Sequence, residues 1–197
     1  MKMIVTAILC AASVSAFAAG LKPGDAAPMT GTKMKNVDGK MVSIADVTGA
    51  KGTLVVFSCN NCPFAKAWES RIVELGNAYS KQGIGVIMVN PNDPAVAGDT
   101  LEALQARAKD KGFGFPYVMD AGSAVASAFG ASRTPELYLF DKAGKLVYHG
   151  AVDDNKDAGS VKQHYLKDAL DAVIAGKDIA EKETKAVGCT IKFYKQS

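Results

Sequence analysis

Histidine, tryptophan and cysteine are scarce in this chain: two, one and four among 197 residues. A four-ligand zinc site built on Cys-x-x-Cys needs a second pair, and none is present, so the sequence argues against a structural metal centre. Basic residues never cluster, and the net charge of +3 is spread along the chain, which excludes the footprint of a nucleic-acid or anionic-lipid binder. No apolar run reaches the roughly 20 residues needed to cross a bilayer. Repeats and low-complexity tracts are also missing, so the sequence reads as ordinary globular material.

What the N-terminus does have is an export pattern. Lys2 precedes an uncharged apolar run from Ile4 to Ala16, and Ala16-Phe17-Ala18 fits the small-x-small cleavage rule. Cys10 follows Leu9, where a lipid-attachment signal requires a small residue, so Cys10 reads as part of the removed peptide. The chain therefore divides into a signal peptide over 1–18, a domain over 19–175 and a C-terminal tail over 176–197 that contains Cys189. This places the mature protein in the periplasm or outside the cell, where an oxidising environment favours disulfides over metal-bound cysteines.

The richest stretch is Ser58-Cys59-Asn60-Asn61-Cys62-Pro63. It follows the apolar run Thr53–Phe57 and opens an amphipathic segment in which Phe64, Trp68, Ile72, Leu75 and Tyr79 share one helical face. The pattern predicts a buried strand that delivers Cys59 onto the cap of a helix beginning at about Cys59. Free N–H groups at such a cap lower a cysteine pKa from about 8.5 into the range of roughly 3.5–7.5. A static disulfide is the alternative, but so small a ring constrains little chain.

Other elements follow. Lys35–Ile44 reads as a hairpin turning at Asp38-Gly39, Ile84–Val89 as a strand covered on both faces, and Thr100–Lys111 as a helix. A strand over Phe115–Met119 and a short helix over Ser123–Phe129 come next. The strands Glu136–Phe140 and Lys145–His149 pair antiparallel, and a final helix over Ser160–Ala175 ends at Gly176.

This order, with C-x-x-C after the first parallel strand and Thr134-Pro135 opening the last hairpin, resembles the thioredoxin superfamily. Gly24-Asp25-Ala-Ala-Pro28, the hairpin and the helix-strand insertion resemble its redoxin branch, which holds AhpC/TSA-like domains and exported TlpA/ResA-type oxidoreductases. The resemblance implies an α/β thioredoxin-like fold with a central mixed sheet flanked by helices. It makes Cys59 the attacking thiol and Cys62 the resolving one, joined in a redox disulfide. Pro135 becomes the cis-proline packed against them, and Thr134 the residue that offers its backbone to an extended substrate. Departures are the Phe57-Ser58 lead-in, Asn60-Asn61 between the thiols, and Val56 where thioredoxin has a buried acid. Cys-Asn-x-Cys-Pro and the ending Gly188-Cys189-Thr-Ile-Lys192 are similar to a subgroup of redoxin-domain proteins.

Four further residues are candidates. Asp93 leaves a strand next to the Cys59 strand and is a candidate proton acceptor for Cys62, although a turn-forming role also fits it. Lys66 and Arg133 offer positive potential near the thiols, or are solvated charges. Cys189 reads as the apolar side of an edge strand, or as a third redox thiol. The expected function is that of an exported thiol–disulfide oxidoreductase without a cofactor. Its expected partners are exported proteins with cysteine thiols or disulfides and an unidentified redox partner, one class of which is membrane-bound. Two alternatives are weighed. A peroxidase requires Pro and Thr at fixed steps before the attacking Cys, positions held here by other residues such as Val56. A Sco-like copper carrier would use Cys59, Cys62 and a distant His, but Sco-like thiols are spaced by three residues rather than two.

Overall fold

The computed structural model describes residues 20–96 and 99–195. The expected signal peptide, with Cys10, lies outside them. Among the described residues no helix is long and apolar enough to cross a membrane.

Strands β1 (Met34–Asn36) and β2 (Met41–Val42) form the expected hairpin, with Gly39 at φ +85° in its turn. Strand β3 (Gly52–Phe57) leads through the Cys59–Cys62 loop into helix α1 (Pro63–Ser80), then strand β4 (Ile84–Asn90), helix α2 (Leu101–Lys111) and strand β5 (Tyr117–Met119). Helix α3 (Ala124–Phe129), the two-residue strand β6 (Arg133–Thr134), and strands β7 (Glu136–Asp141) and β8 (Leu146–Gly150) follow. Helix α4 (Tyr165–Ala175) and strand β9 (Cys189–Thr190) complete the chain.

The main sheet runs β2-β1-β5-β4-β3-β7-β8, with β3, β4 and β5 parallel and the outer strands antiparallel. All six residues of β3 are buried, because helices cover both faces. Period-two alternation sorts them: Leu54 and Val56 pack with Trp68, Ile72, Leu104 and Leu170, whereas Val55 and Phe57 pack with Val125, Phe129 and Tyr138. This mixed sheet between helices is a thioredoxin-like fold.

Several boundaries differ from the sequence reading, three of them for a clear chemical reason. Helix α1 begins at Pro63, not near Cys59. A residue before proline is driven out of the helical region, and Cys62 accordingly has ψ 123°, which makes it the N-cap and Pro63 the first helical residue. Helix α4 begins at Tyr165, because Ala158–Ser160 form a separate 3-10 turn capped by Asp157 and Val161 is extended. Its buried face is Leu166, Ala169 and Leu170. Strand β5 starts after Pro116, which has no N–H to offer a ladder.

The tail is woven into the domain. Thr184 receives the Ala151 N–H at 3.0 Å and lies 2.8 Å from the Tyr148 hydroxyl, and Ile179 is buried. Beyond it, β9 pairs antiparallel with β6, Arg133 against Thr190 and Thr134 against Cys189. The Ile191 N–H donates to Ser132 O at 3.0 Å, the Asp93 N–H to Lys192 O at 2.8 Å, and the Lys192 N–H to Asn92 Oδ1 at 2.8 Å. The last residues thus form a strap across the carboxyl ends of β3 and β4.

Candidate redox site

The site lies where β3 ends. Ser58 continues the ladder through its N–H to Val89 O at 2.9 Å, and the chain then turns away from the sheet. Asn60 fixes the turn: its N–H donates to Asp99 Oδ1 at 3.0 Å and its side-chain carbonyl accepts the Tyr117 hydroxyl at 3.1 Å. Asp99 is fully buried and also accepts Asn90 Nδ2 at 3.1 Å and Asn92 Nδ2 at 2.9 Å. Every oxygen of this buried carboxylate is therefore engaged, as a buried charge requires.

Both thiols meet Thr134, which is fully buried and joined to Pro135 by a cis peptide bond. Cys59 Sγ lies 3.2 Å from Thr134 Oγ1, and Cys62 Sγ donates to Thr134 O at 2.9 Å. As N-cap, the Cys62 sulfur also receives the Ala65 N–H at 3.4 Å and, from the strap, the Cys189 N–H at 3.4 Å. Both cysteines are reduced and almost covered, with relative exposures of 7% and 3% for Cys59 and Cys62.

The two sulfurs titrate as a unit. The first proton of the pair leaves far below the ordinary thiol range. The hydrogen bond between the two sulfurs is the main cause, and the contacts from Cys189 and Ala65 add to it against the effect of burial. The second stays on well above the ordinary range because of that same hydrogen bond, burial and the Asp99 charge, with Thr134 pulling the other way. The reduced pair thus holds one thiolate. Thr134 distinguishes the two sulfurs: a carbonyl oxygen at 2.9 Å suits Cys62 as S–H, while a hydroxyl turned toward Cys59 suits a thiolate there.

The predicted residues are distributed as follows. Cys59, Cys62, Thr134 and Pro135 converge. The helix cap, however, is Cys62 rather than Cys59, so Cys59 is met by the Thr134 hydroxyl and, as a lesser contact, by the Cys62 N–H. Asp93 is not at the sulfurs: its carboxylate accepts the Ala95 N–H at 2.9 Å, and it is the turn former. Lys66 points out from the first turn of α1, and the exposed Arg133 gives its guanidinium to Thr190 Oγ1 at 3.0 Å, so neither cation reaches the thiols. Cys189 is half-buried rather than buried and faces Cys62. The edge expected to receive a substrate strand at Thr134 is already taken by β9. His149 is held by Glu136 and stacked on Tyr138, away from the cysteines.

Two carboxylates escaped the sequence reading. Asp99 sits after a Pro/Gly-interrupted loop, where turn-forming is the default role for an acid, and its only signal is its distance downstream of Asn90. Glu136 follows Pro135 directly. Its Oε2 accepts the N–H groups of Ser132 and Arg133 at 2.8 Å each, and its Oε1 lies 2.8 Å from His149 Nε2. Burial alone would push this carboxyl up, but those hydrogen bonds outweigh it and hold it below the usual range. Glu136 thereby shapes the turn that presents Thr134.

Comparison with known proteins agrees with this geometry. The AhpC/TSA family model matches residues 23–149. The thiol-disulfide oxidoreductase ResA of Halalkalibacterium halodurans is 26% identical over 114 residues, which are 58% of this chain and 61% of ResA. The match thus spans about three fifths of that relative. An uncharacterized conserved protein from Geobacillus kaustophilus superposes with a TM-score of 0.83 at 33% identity, covering 89% of this chain and 94% of that one. A thioredoxin-like protein solved in its oxidized form superposes at 0.63 with 22% identity over 79% of this chain and 98% of its own, a likeness of fold.

Proposed function

Because the chain belongs to the AhpC/TSA family, we propose that it is an exported thiol–disulfide oxidoreductase that exchanges disulfides with protein thiols through Cys59 and Cys62. One observation carries this reading: both sulfurs contact a single residue, Thr134, through two different oxygens. Exchange requires a thiolate, and a thiol pair that loses its first proton well below the ordinary range supplies one. The likeness to ResA supports the same chemistry. The signal-peptide pattern of residues 1–18 supports export.

The steps balance. The Cys59 thiolate attacks one sulfur of a partner disulfide, forming a mixed disulfide and expelling the other sulfur as a thiolate. That thiolate takes the Cys62 proton. The Cys62 thiolate, held by the Ala65 and Cys189 N–H groups, then attacks the Cys59 sulfur and releases the partner's second thiolate. The partner is reduced and the pair oxidised; run backwards, the same steps oxidise a dithiol.

The test is a pair of traps in the full chain, with insulin as the disulfide probe. Cys62→Ser is expected to hold the probe covalently on Cys59, and Cys59→Ser to hold none. Adduct on Cys62 in the Cys59→Ser protein reverses the order of attack. Absence of exchange by the folded wild type overturns the reading.

A further inference from the structure

Cys189 remains outside these steps, although it packs against the cluster of Cys59, Cys62, Ala65 and Phe64. A buried cysteine acting as a small hydrophobe is enclosed by carbon. The Cys189 sulfur instead faces the Cys62 thiol and the Phe64 N–H, one of the unpaired donors in the first turn of α1. Its own N–H donates to Cys62 Sγ at 3.4 Å. It is the most accessible of the three described cysteines, half-buried where Cys59 and Cys62 are nearly covered. The strap that carries it is anchored on both sides. Upstream, Gly188 lies so close to Thr134 that a Cβ would stand 2.2 Å from the Thr134 carbonyl oxygen. Downstream, Ile191 is buried and Lys192 is tied at both its N–H and its carbonyl. The fold thus holds a third sulfur against the central one.

We propose that Cys189 is a third exchanging thiol, which takes the disulfide over from Cys59 by attacking Cys62 and presents it at the surface for reduction. This rests on the Cys59–Cys62 exchange proposed above. Starting from the Cys59–Cys62 disulfide, the Cys189 sulfur attacks Cys62 Sγ. The Cys62–Cys189 bond forms, the Cys59–Cys62 bond breaks, and Cys59 leaves with the proton that Cys189 gave up to water. Nothing is oxidised or reduced overall. A thiol reductant then attacks the accessible Cys189 sulfur and expels Cys62, the sulfur best provided with N–H groups to carry a leaving charge. A second reductant thiol cleaves the mixed disulfide and returns Cys189 to its thiol.

The electrostatics fit this order. In the reduced protein Cys189 is pushed up by burial, then by its hydrogen bond to Cys62 and by the negative charge that the thiol pair carries. Entry of Cys62 into a disulfide removes the last two effects and leaves the Phe64 N–H in place, so Cys189 ionises more readily when there is a disulfide for it to attack.

The experiment uses the full chain in three forms: wild type, Cys59→Ser and Cys189→Ser. Each is oxidised with oxidised glutathione, alkylated and mapped by mass spectrometry for disulfide-linked peptides, with circular dichroism confirming that each is folded. Cys59→Ser is expected to form a Cys62–Cys189 link. Cys189→Ser is expected to form Cys59–Cys62 but to be re-reduced by glutathione more slowly than the wild type. A folded Cys59→Ser protein that forms no Cys62–Cys189 link, while the wild type forms Cys59–Cys62, overturns the third-thiol proposal and leaves the pair intact. So does re-reduction of Cys189→Ser at the wild-type rate. Failure of the wild type to form Cys59–Cys62 strikes the underlying reading instead.

Discussion

The Cys62 sulfur and the Thr134 carbonyl oxygen lie 2.9 Å apart, a thiol donating to a main-chain acceptor from a residue 72 positions away. Cys59 meets the hydroxyl of the same residue. One threonine therefore touches both sulfurs through different oxygens, which can be separated by mutation.

Thr134→Val removes the hydroxyl and keeps the carbonyl. A hydrogen bond to a charged group contributes about 1.5–3 kcal/mol, so thiolate formation at Cys59 becomes about tenfold or more less favourable. The first ionisation of the pair moves up in pH, and reaction with iodoacetamide at neutral pH slows. An unchanged alkylation profile shows that the hydroxyl plays no part.

Stability of the reduced protein depends on pH through the same pair. The first ionisation is depressed to about 4 in the folded state, against an unfolded thiol near 8.5. Between these values the unfolded chain binds more protons, so stability climbs with pH, is complete above the unfolded pKa and is lost as pH falls through about 4. The second ionisation is raised, so above the unfolded pKa the sign reverses and stability declines. Oxidised protein lacks both effects. Denaturant midpoints of the two redox forms, measured from pH 4 to 10 (roughly the window bounded by these ionisations), are expected to diverge toward neutral pH in favour of the reduced form. Parallel curves contradict the assignment.

Asp99→Asn tests the carboxylate beneath the loop. An amide has one acceptor oxygen where three donors converge, so at least one of Asn60 N–H, Asn90 and Asn92 loses its partner. Each buried orphan costs about 1–3 kcal/mol. The variant is expected to unfold at lower denaturant, and the Cys59 thiol, freed of a nearby negative charge, to ionise at lower pH. A stable variant with unaltered thiol titration refutes both roles.

Gly188→Ala places a methyl group against the Thr134 carbonyl and forces the strap off β6. Overpacking of this kind costs roughly 1–3 kcal/mol. Faster proteolysis of the C-terminal segment and easier alkylation of Cys62 are expected; wild-type resistance at both places contradicts the fit.

The sheet and the loop position were legible because they rest on local signals, apolar runs and a Cys-x-x-Cys after one of them, whereas the cis-proline came from the family resemblance of Thr134-Pro135. The cap was misplaced because proline at the first helical position, not the first cysteine, decides where α1 starts. Asp93 and Asp99 could not be told apart, since both stand in a turn-rich stretch and only burial separates them. The pairing of β9 with β6 was out of reach, because contact between residues 134 and 189 depends on a path through the whole domain. Alternation in the tail revealed a strand and nothing about its neighbour.

Occupation of the Thr134 edge by β9 has a consequence for the exchange proposed above. A client that must unravel to present an extended segment gains no backbone ladder in return, so unfolding it carries a cost with no compensation at that edge. For the exchange proposed above, this leaves disulfides that already protrude from folded surfaces as the expected clients.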